Sequence, residues 1–244
     1  MGILEVTGLR KSFGGLLALN ELSFSVREGE ILGMIGPNGA GKTTTFNIVT
    51  GYDAVDRGSI TFAGVDITGW RPDQVAKHGL VRTFQVVEPF RSLTTMDNIV
   101  VGALCHSSNL SAARRTAETV IARVGLERHA HDPASDLTIP DLRRLELARA
   151  VATQPKTILL DEAMAGLTPA EQQESVALVK DLNKKEGITF IVVEHVMRVI
   201  TSLVNRLIVL HHGLKIAEGS ADQVLRTPTV IEAYLGQETA SAGG

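Results

Sequence analysis

The chain lacks most features that mark secreted, membrane-spanning or nucleic-acid-binding proteins. It has one cysteine, Cys105, so no disulfide can form within one copy, as suits a reducing compartment. Its apolar runs, such as residues 190–193, are far shorter than the ~20 residues that span a bilayer. No signal-peptide pattern follows Met1. We therefore expect a soluble chain in the cytoplasm.

A charge excess of either sign is also missing. The formal net charge is −3, and basic and acidic residues are interspersed rather than gathered in runs. Neither nucleic acid nor an anionic lipid surface is therefore indicated as a direct partner. At 244 residues, the chain can form one large α/β domain, or two small ones, around a sizeable core.

One stretch carries a specific chemical signal, the sequence G-P-N-G-A-G-K-T at 36–43. It follows an apolar run typical of a buried strand and precedes an expected helix from Thr43 to Thr50. This is the order of a phosphate-binding loop, where backbone N–H groups and a helix N-terminus surround a polyphosphate. The motif assigns Lys42 to the β- and γ-phosphates and the Thr43 hydroxyl to magnesium. The residues expected to hold the nucleotide are Gly36, Pro37, Asn38, Gly39, Ala40, Gly41, Lys42, Thr43 and Thr44.

A second group of polar residues follows two later apolar strands. Asp161 and Glu162 end the run at 157–160, and His195 follows the run at 188–193. In open parallel sheets the ligand lies at the carboxyl edge, where the phosphate loop must also lie. We therefore expect Asp161 to reach magnesium, Glu162 to act as general base towards water, and neutral His195 to position the γ-phosphate. The alternative is that these residues only end strands.

The remaining patterns predict one domain of three parts, followed by a small, polar, disordered tail. Short alternating strands form an antiparallel β part, and strand–helix alternation forms the nucleotide-binding core. A helix-rich segment interrupts the core and forms an inserted helical subdomain. The predicted bounds are 1–236 for the domain, 1–30 and 58–66 for the β part, 31–88 and 156–217 for the core, 89–155 for the helical subdomain, and 237–244 for the tail.

Capping residues predict where several helices begin. Thr94 with Asp97, and Thr168 with Glu171, have the spacing of N-terminal caps. Ser111 is expected to open a further helix.

The other histidines are expected to be structural. His212 and the following glycine fit the turn of a β-hairpin. His129 and His131 have no partners at the spacing of metal ligands.

Together, these motifs resemble the ATPase subunits of ABC transporters along essentially the whole chain. Asp161 stands in the position of the Walker B motif, His195 in that of the switch histidine, and Gln85 in that of the Q-loop. The resemblance implies that Gln85 is a catalytic residue and a magnesium ligand beside Thr43 and Asp161. It also implies that Phe13 stacks on adenine, although the local pattern alone favours ordinary packing.

The resemblance is closer to ATPases of importers of branched-chain amino acids, and importers of urea or short amides look similar. It implies an α/β P-loop fold with an antiparallel β-subdomain and an inserted helical subdomain. It further implies ATP and magnesium as cofactors, a second ATPase subunit, membrane permease subunits and, indirectly, a solute-binding protein. The chain would then lie on the cytoplasmic face of the plasma membrane. The runs that carry this closer resemblance lie at 13–19, 82–85, 143–150 and 233–236.

The same resemblance implies a docking surface for a permease helix at 86–95. Phe90 and Leu93 are candidates for that contact, and packing in the core is the alternative.

One motif departs from the family pattern. Where the family has Leu-Ser-Gly-Gly-Gln, this chain has Leu137, Thr138, Ile139, Pro140 and Asp141. In the family, this segment binds the γ-phosphate held by the opposite subunit of a head-to-tail dimer. Thr138 keeps a hydroxyl, but Pro140 has no N–H, Ile139 is bulky, and Asp141 brings negative charge. We expect a well-formed helix start that serves the partner's nucleotide poorly.

We expect a magnesium-dependent ATPase that drives import, and two other functions stay open. A soluble ABC ATPase of translation or DNA repair would normally pair two such domains or carry a long coiled coil. An ATP-dependent dimerisation switch with weak hydrolysis is favoured by the altered signature, whereas Glu162 argues against it because a pure switch needs no general base.

Overall fold

A computed structural model describes residues 2–85 and 88–241, with side chains as far as Tyr234. The strands are β1 (Leu4–Phe13), β2 (Leu16–Val26), β3 (Ile31–Ile35), β4 (Arg57–Phe62), β5 (Val65–Asp66), β6 (Leu80–Arg82), β7 (Thr157–Asp161), β8 (Thr189–Val193), β9 (Arg206–His211) and β10 (Leu214–Ser220). The helices are α1 (Lys42–Val49), α2 (Pro72–His78), α3 (Thr95–Ala103), α4 (Leu110–Arg123), α5 (Ile139–Ala152), α6 (Pro169–Glu186), α7 (Met197–Leu203), α8 (Ala221–Val224) and α9 (Pro228–Ser241).

The chain divides into two compact units. The first comprises Met1–Pro72 and Thr189–Gly244, and the second comprises Asp73–Ile188. The three-part division expected from the sequence stays a prediction, as does the disordered tail at 237–244. Helix α9 runs to Ser241, and residues 242–244 lie outside the described residues.

The first unit contains two kinds of sheet. Strands β2, β1, β4 and β5 form an antiparallel sheet in that order, with apolar side chains such as Leu4 and Phe62 buried on one face. Strand β3 lies between β8 and β9 and is parallel to both. Strand β8 is buried at all five positions, as expected of a parallel strand covered on both faces.

A tight hairpin joins β9 to β10. His212 and Gly213 form its turn, with φ values of 48° and 75°. Two consecutive positive φ values are typical of the hairpin turns whose twist matches the strands. The predicted hairpin at His212 is confirmed.

The second unit combines two parallel strands with helices. β6 pairs with β7, and β7 is buried throughout. Helices α3, α4 and α5 pack against one another, with Ile99, Ala113 and Leu145 fully buried.

Helix starts follow the predicted caps with one exception. The side chains of Thr94 and Thr168 accept hydrogen bonds from the N–H groups of Asp97 and Glu171, which confirms both predictions. The expectation for Ser111 is wrong, because the cap of α4 is Asn109. Its side chain accepts from the Ser111 N–H at 2.9 Å, and asparagine is among the strongest capping residues. None of the described helices is long and apolar enough to cross a membrane.

Candidate nucleotide-binding site

The glycine loop lies between β3 and α1 in the first unit, and its geometry depends on glycine. Gly36 and Gly41 have φ values of 154° and 105°. A Cβ on Gly36 would lie 2.2 Å from the Leu210 carbonyl oxygen, and one on Gly41 would lie 2.7 Å from Leu19 Cδ2. Both positions therefore need glycine for space as well as conformation.

Lys42 is held against this loop. Its side chain is buried, and Nζ donates to the carbonyl oxygens of Gly36 at 2.7 Å and Pro37 at 2.9 Å. The two carbonyls stabilise the charge and fix the ammonium where it can meet an anion held by the loop. Of the other predicted loop residues, Pro37 and Ala40 are buried, Thr44 is half-buried, and Asn38, Gly39 and Thr43 are exposed.

His195 reaches the same edge of the sheet as the loop. In the parallel pairing of β3 with β8, Met34 lies opposite Val193. Gly36 and His195 each follow that pair by two residues, so both leave the sheet at its carboxyl edge. His195 is exposed, at the edge where open α/β sheets bind ligands.

The antiparallel sheet is tied to the loop through the β9–β10 turn. The Gly213 N–H donates to the Ala40 carbonyl, and the Asn20 N–H donates to the Gly213 carbonyl, both at 3.0 Å. Phe13 ends β1 with 47% of its surface exposed, and Lys11 Nζ lies 5.0 Å from its ring centroid. An exposed ring of this kind can stack on a planar ligand.

Tyr234 brings α9 close to the loop, and sequence reasoning gave it no site role. Burial raises the pKa of its hydroxyl to about 12, although the backbone of Gly36 acts in the opposite direction. The one signal for Tyr234 in the sequence is that it belongs to the C-terminal run at 233–236, which carries the closer family resemblance. Beside it, a cleft of about 350 Å³ is lined by Pro37, Asn38, Ala40, His211, His212, Glu232 and Ala233.

In the second unit, Asp161 ends β7 as a buried carboxylate. Arg82 Nη2 donates to Asp161 Oδ2 at 2.6 Å, and the two side chains are 6% and 5% exposed. A charge this deeply buried requires a partner. Sequence reasoning missed Arg82, which stands at the end of the neighbouring strand and is paired with Leu159.

Glu162 directly follows Asp161 but differs from it in burial and in bonding partner. Its φ of 49° is left-handed, a conformation that costs a non-glycine residue about 1–2 kcal/mol. The Glu162 side chain is half-buried, and Gln85 Nε2 donates to its Oε2 at 2.8 Å. The structure thus brings together two of the three residues predicted to be catalytic.

The predicted magnesium ligands offer oxygen donors. Thr43 supplies a hydroxyl, Asp161 a carboxylate and Gln85 an amide oxygen, the donor types that magnesium prefers. Because Gln85 uses its amide nitrogen for Glu162, its carbonyl oxygen is the end that can ligate a cation. Each of these oxygen donors suits magnesium. Over the described ranges, no group of three or more His, Cys, Asp or Glu side chains could hold a metal ion.

Polar groups of the altered signature segment bond to one another in the N-terminal cap of α5. Thr138 caps α5, and its Oγ1 donates to Asp141 Oδ2 at 2.6 Å and accepts from the Asp141 N–H at 3.4 Å. Asp141 is 6% exposed, and its carboxylate also lies 3.7 Å from His129 Nε2. The hydroxyl proton of Thr138 is therefore engaged within the cap.

The other signature residues differ in exposure. Leu137 is buried, whereas Ile139 is 59% exposed. Pro140 occupies the first turn of α5, where its missing N–H costs no intrahelical bond. The helix start expected from Pro140 is confirmed.

Comparison with known proteins decides the family. The model of a family described as "ABC transporter" matches residues 19–165, and one described as "Branched-chain amino acid ATP-binding cassette transporter" matches residues 215–240. The chain belongs to the ABC transporter family. The ATP-binding protein LivG of Salmonella typhimurium, described as part of high-affinity branched-chain amino acid transport, is 40% identical over 96% of this chain and 98% of its own.

Solved ABC cassettes share the fold. A nucleotide-free cassette is 31% identical with a TM-score of 0.88, covering 96% of this chain and 99% of its own. The ADP conformation of the cassette MJ1267 is 32% identical with a TM-score of 0.87, covering 97% and 99%. The predicted ABC ATPase fold is confirmed. ATP binding, and ATP hydrolysis coupled to transport, follow from membership of this family.

Proposed function

We propose that this ABC ATPase powers an importer of branched-chain amino acids or related small polar solutes. The support is the 40% identity to LivG over nearly the whole of both chains, together with the family match over the C-terminal residues 215–240. The observation that carries the ATPase role is the buried Lys42 ammonium held by two carbonyls of the glycine loop.

The proposed roles divide between the two units. In the first, the loop at 36–43 with Thr44 binds the phosphates, Lys42 contacts the β- and γ-phosphates, and Phe13 stacks on adenine. His195 orients the γ-phosphate from the same sheet edge. In this unit the Thr43 hydroxyl would be a ligand of magnesium, which when bound neutralises charge on the phosphates.

In the second unit, Glu162 is the proposed general base. It accepts a proton from the attacking water, and Gln85 holds its carboxylate by the 2.8 Å hydrogen bond. Arg82 fixes Asp161, the proposed metal ligand, through their buried ion pair. The strained backbone at Glu162 supports this assignment, since such strain is concentrated at functional sites.

The proposed assembly is peripheral to a membrane. A second ABC ATPase subunit and integral permease subunits are the direct partners, a solute-binding protein is an indirect partner, and nucleic acid is not a partner. The chain would act on the cytoplasmic face of the plasma membrane. Docking of a permease helix is proposed for residues 88–95, where Phe90 is 45% exposed and Leu93 half-buried; Val86 and Val87, also predicted to dock, lie outside the described residues.

The solute is tested by reconstitution. The chain is assembled in vesicles with the permease subunits and solute-binding protein encoded beside it, and phosphate release is measured with leucine or with urea. Stimulation by leucine that is lost in Lys42→Ala supports the proposal. Stimulation by urea alone, or by neither solute, would contradict the branched-chain assignment.

We further propose that the signature segment weakens the nucleotide site of the partner subunit. The Thr138 hydroxyl donates a hydrogen bond to Asp141, and Pro140 offers no N–H, so this surface presents fewer donors to a phosphate. One charge-assisted hydrogen bond is worth about 1.5–3 kcal/mol, or roughly ten- to hundredfold in rate. In a heterodimer one composite site would then be slow, and in a homodimer both would be.

The test is ATPase turnover of the chain alone against the Pro140→Gly/Asp141→Gln double variant. A gain in turnover supports the proposal, and an unchanged rate in a folded variant refutes it. The same cap geometry favours a second candidate function, an ATP-dependent dimerisation switch with weak hydrolysis. The Glu162→Gln variant distinguishes the two functions. An ATPase motor loses its phosphate release in this variant, whereas a switch hydrolyses so little ATP that it has no significant release to lose.

A further inference from the structure

Helix α5 carries three charged side chains that contact the chain beside Gln85. Arg143, Glu146 and Arg149 are three residues apart and so lie near one another on the helix surface. Glu146 Oε1 accepts a hydrogen bond from the Phe84 N–H at 2.6 Å. Arg143 Nη1 donates to the Phe84 carbonyl at 3.5 Å. Both backbone polar groups of Phe84 are therefore bonded to α5.

Arg149 contacts the loop at 83–94, which joins β6 to α3 and carries Phe84 and Gln85. Its Nη1 donates to the Glu88 carbonyl at 3.0 Å, and its guanidinium lies 5.0 Å from the centroid of the Phe90 ring. This is within the range of a cation–π contact. One helix therefore contacts the loop on both sides of residues 86–87, which lie outside the described residues.

The burial of Glu146 is unfavourable for its charge. The residue is 8% exposed, and burial raises its pKa against the opposing effects of the Phe84 N–H, Arg143 and Arg149. Its Oε2 has no hydrogen-bond partner among the described residues and lies 3.6 Å from Arg143 Nη1. Because burial disfavours the ionised form, this carboxylate is a poor source of stability. Its geometry indicates a role in holding the loop.

We infer that Glu146, assisted by Arg149, is a positioning residue for ATP hydrolysis that sets Gln85 against Glu162. Gln85 follows Phe84 directly, and its amide donates to Glu162 at 2.8 Å. Movement of the Phe84 backbone would carry Gln85 away from that carboxylate. Since α5 begins at the signature segment, one rigid helix connects the surface offered to the partner's nucleotide with the loop that carries Gln85. The inference rests on the roles proposed above for Gln85 and Glu162.

A double-mutant cycle on kcat tests whether Glu146 acts through Gln85. The full-length variants are Glu146→Leu, Gln85→Ala and the two combined, and Glu146→Gln is the conservative variant. Arg144→Gln is the matched control, because Arg144 lies on the same helix but bonds to Glu174. Glu146→Gln keeps an oxygen acceptor for the Phe84 N–H and should retain most of the activity. Glu146→Leu removes that acceptor and is expected to lower kcat roughly ten- to hundredfold, with the KM for ATP unchanged. In the Gln85→Ala background it should have no further effect, and the control should match the wild type.

Several results would overturn the inference. Equal losses from Glu146→Leu in both backgrounds would show that Glu146 acts without Gln85. Equal losses of kcat in Glu146→Gln and Glu146→Leu would show that the hydrogen bond to the Phe84 N–H does not position the loop. Reduced kcat in Gln85→Ala with full kcat in Glu146→Leu would refute the positioning role of Glu146 and leave the proposed role of Gln85 intact. Full kcat in Gln85→Ala would refute both.

The Phe84 amide gives a readout that does not depend on hydrolysis. Its hydrogen exchange, followed by NMR, should be slow in the wild type and faster in Glu146→Ala. Equal exchange rates in the two proteins would show that the contact does not form and would refute the inference.

Discussion

The buried pair of Arg82 and Asp161 leads to the most quantitative prediction for this protein. The N–O distance is 2.6 Å, and the two side chains are 6% and 5% exposed. Replacing Arg82 with glutamine leaves the carboxylate buried without its cation. Removing one partner of a buried pair typically costs about 3–5 kcal/mol. With about 2–4 °C per kcal/mol for a domain of this size, Tm should fall by about 6–20 °C.

The matched control is Arg123→Gln. Arg123 pairs with Glu186 at 2.8 Å in the same unit, but its side chain is 45% exposed. Exposed pairs are worth about 0–1 kcal/mol, so this variant should stay close to the wild type. Both proteins are compared by urea denaturation and by thermal melts.

A double-mutant cycle with Asp161→Asn isolates the pair from other contacts of each residue. The combined variant should cost at least about 2 kcal/mol less than the sum of the single variants, because neither charge is then left buried alone. Additive costs, or an Arg82→Gln variant as stable as the Arg123→Gln control, would show that the buried Asp161 carboxylate does not depend on Arg82.

Three further predictions concern other parts of the chain. Thr138→Ala should destabilise the protein by about 1 kcal/mol through loss of the α5 cap, whereas Thr138→Ser should not; equal denaturation midpoints would contradict this. Asn98→Leu should cost at least about 2 kcal/mol in urea denaturation, because the buried amide bonds four backbone groups of the segment 90–94, and a neutral result would show that those groups find other partners. In an ultraviolet titration of a Tyr52→Phe variant, Tyr234 should ionise near pH 12 rather than 10. The folded protein then binds this proton more tightly than the unfolded chain, so the contribution of Tyr234 to the free energy of unfolding is complete below pH 10 and is lost as the pH rises towards 12. Ionisation at pH 10 would show that the Tyr234 hydroxyl is not shielded from water.

Local chemistry explains what could be predicted from the sequence. The glycine loop is recognisable because its backbone conformation and close contacts require glycine at fixed spacing, as at Gly36 and Gly41. Caps such as Thr168 are recognisable because the capping residue and its partner are three residues apart. The error at Ser111 has the same origin: Asn109, two residues earlier, is as good a capping residue, and the sequence does not rank the two.

The missed residues depend on contacts between distant parts of the chain. Arg82 and Asp161 are 79 residues apart and meet because β6 and β7 are neighbours. Phe84 and Glu146 are 62 residues apart and meet because α5 passes beside the loop. Strand order and helix packing determine these contacts, and neither has a local signature in the sequence.

In the proposed function this chain hydrolyses ATP with Glu162 as the general base, and phosphate release by purified Glu162→Gln measures that role most simply. This role predicts loss of nearly all phosphate release while ATP binding and ATP-dependent dimerisation persist, since glutamine preserves the shape of the side chain but cannot accept the proton. Undiminished phosphate release in a folded Glu162→Gln variant would contradict it.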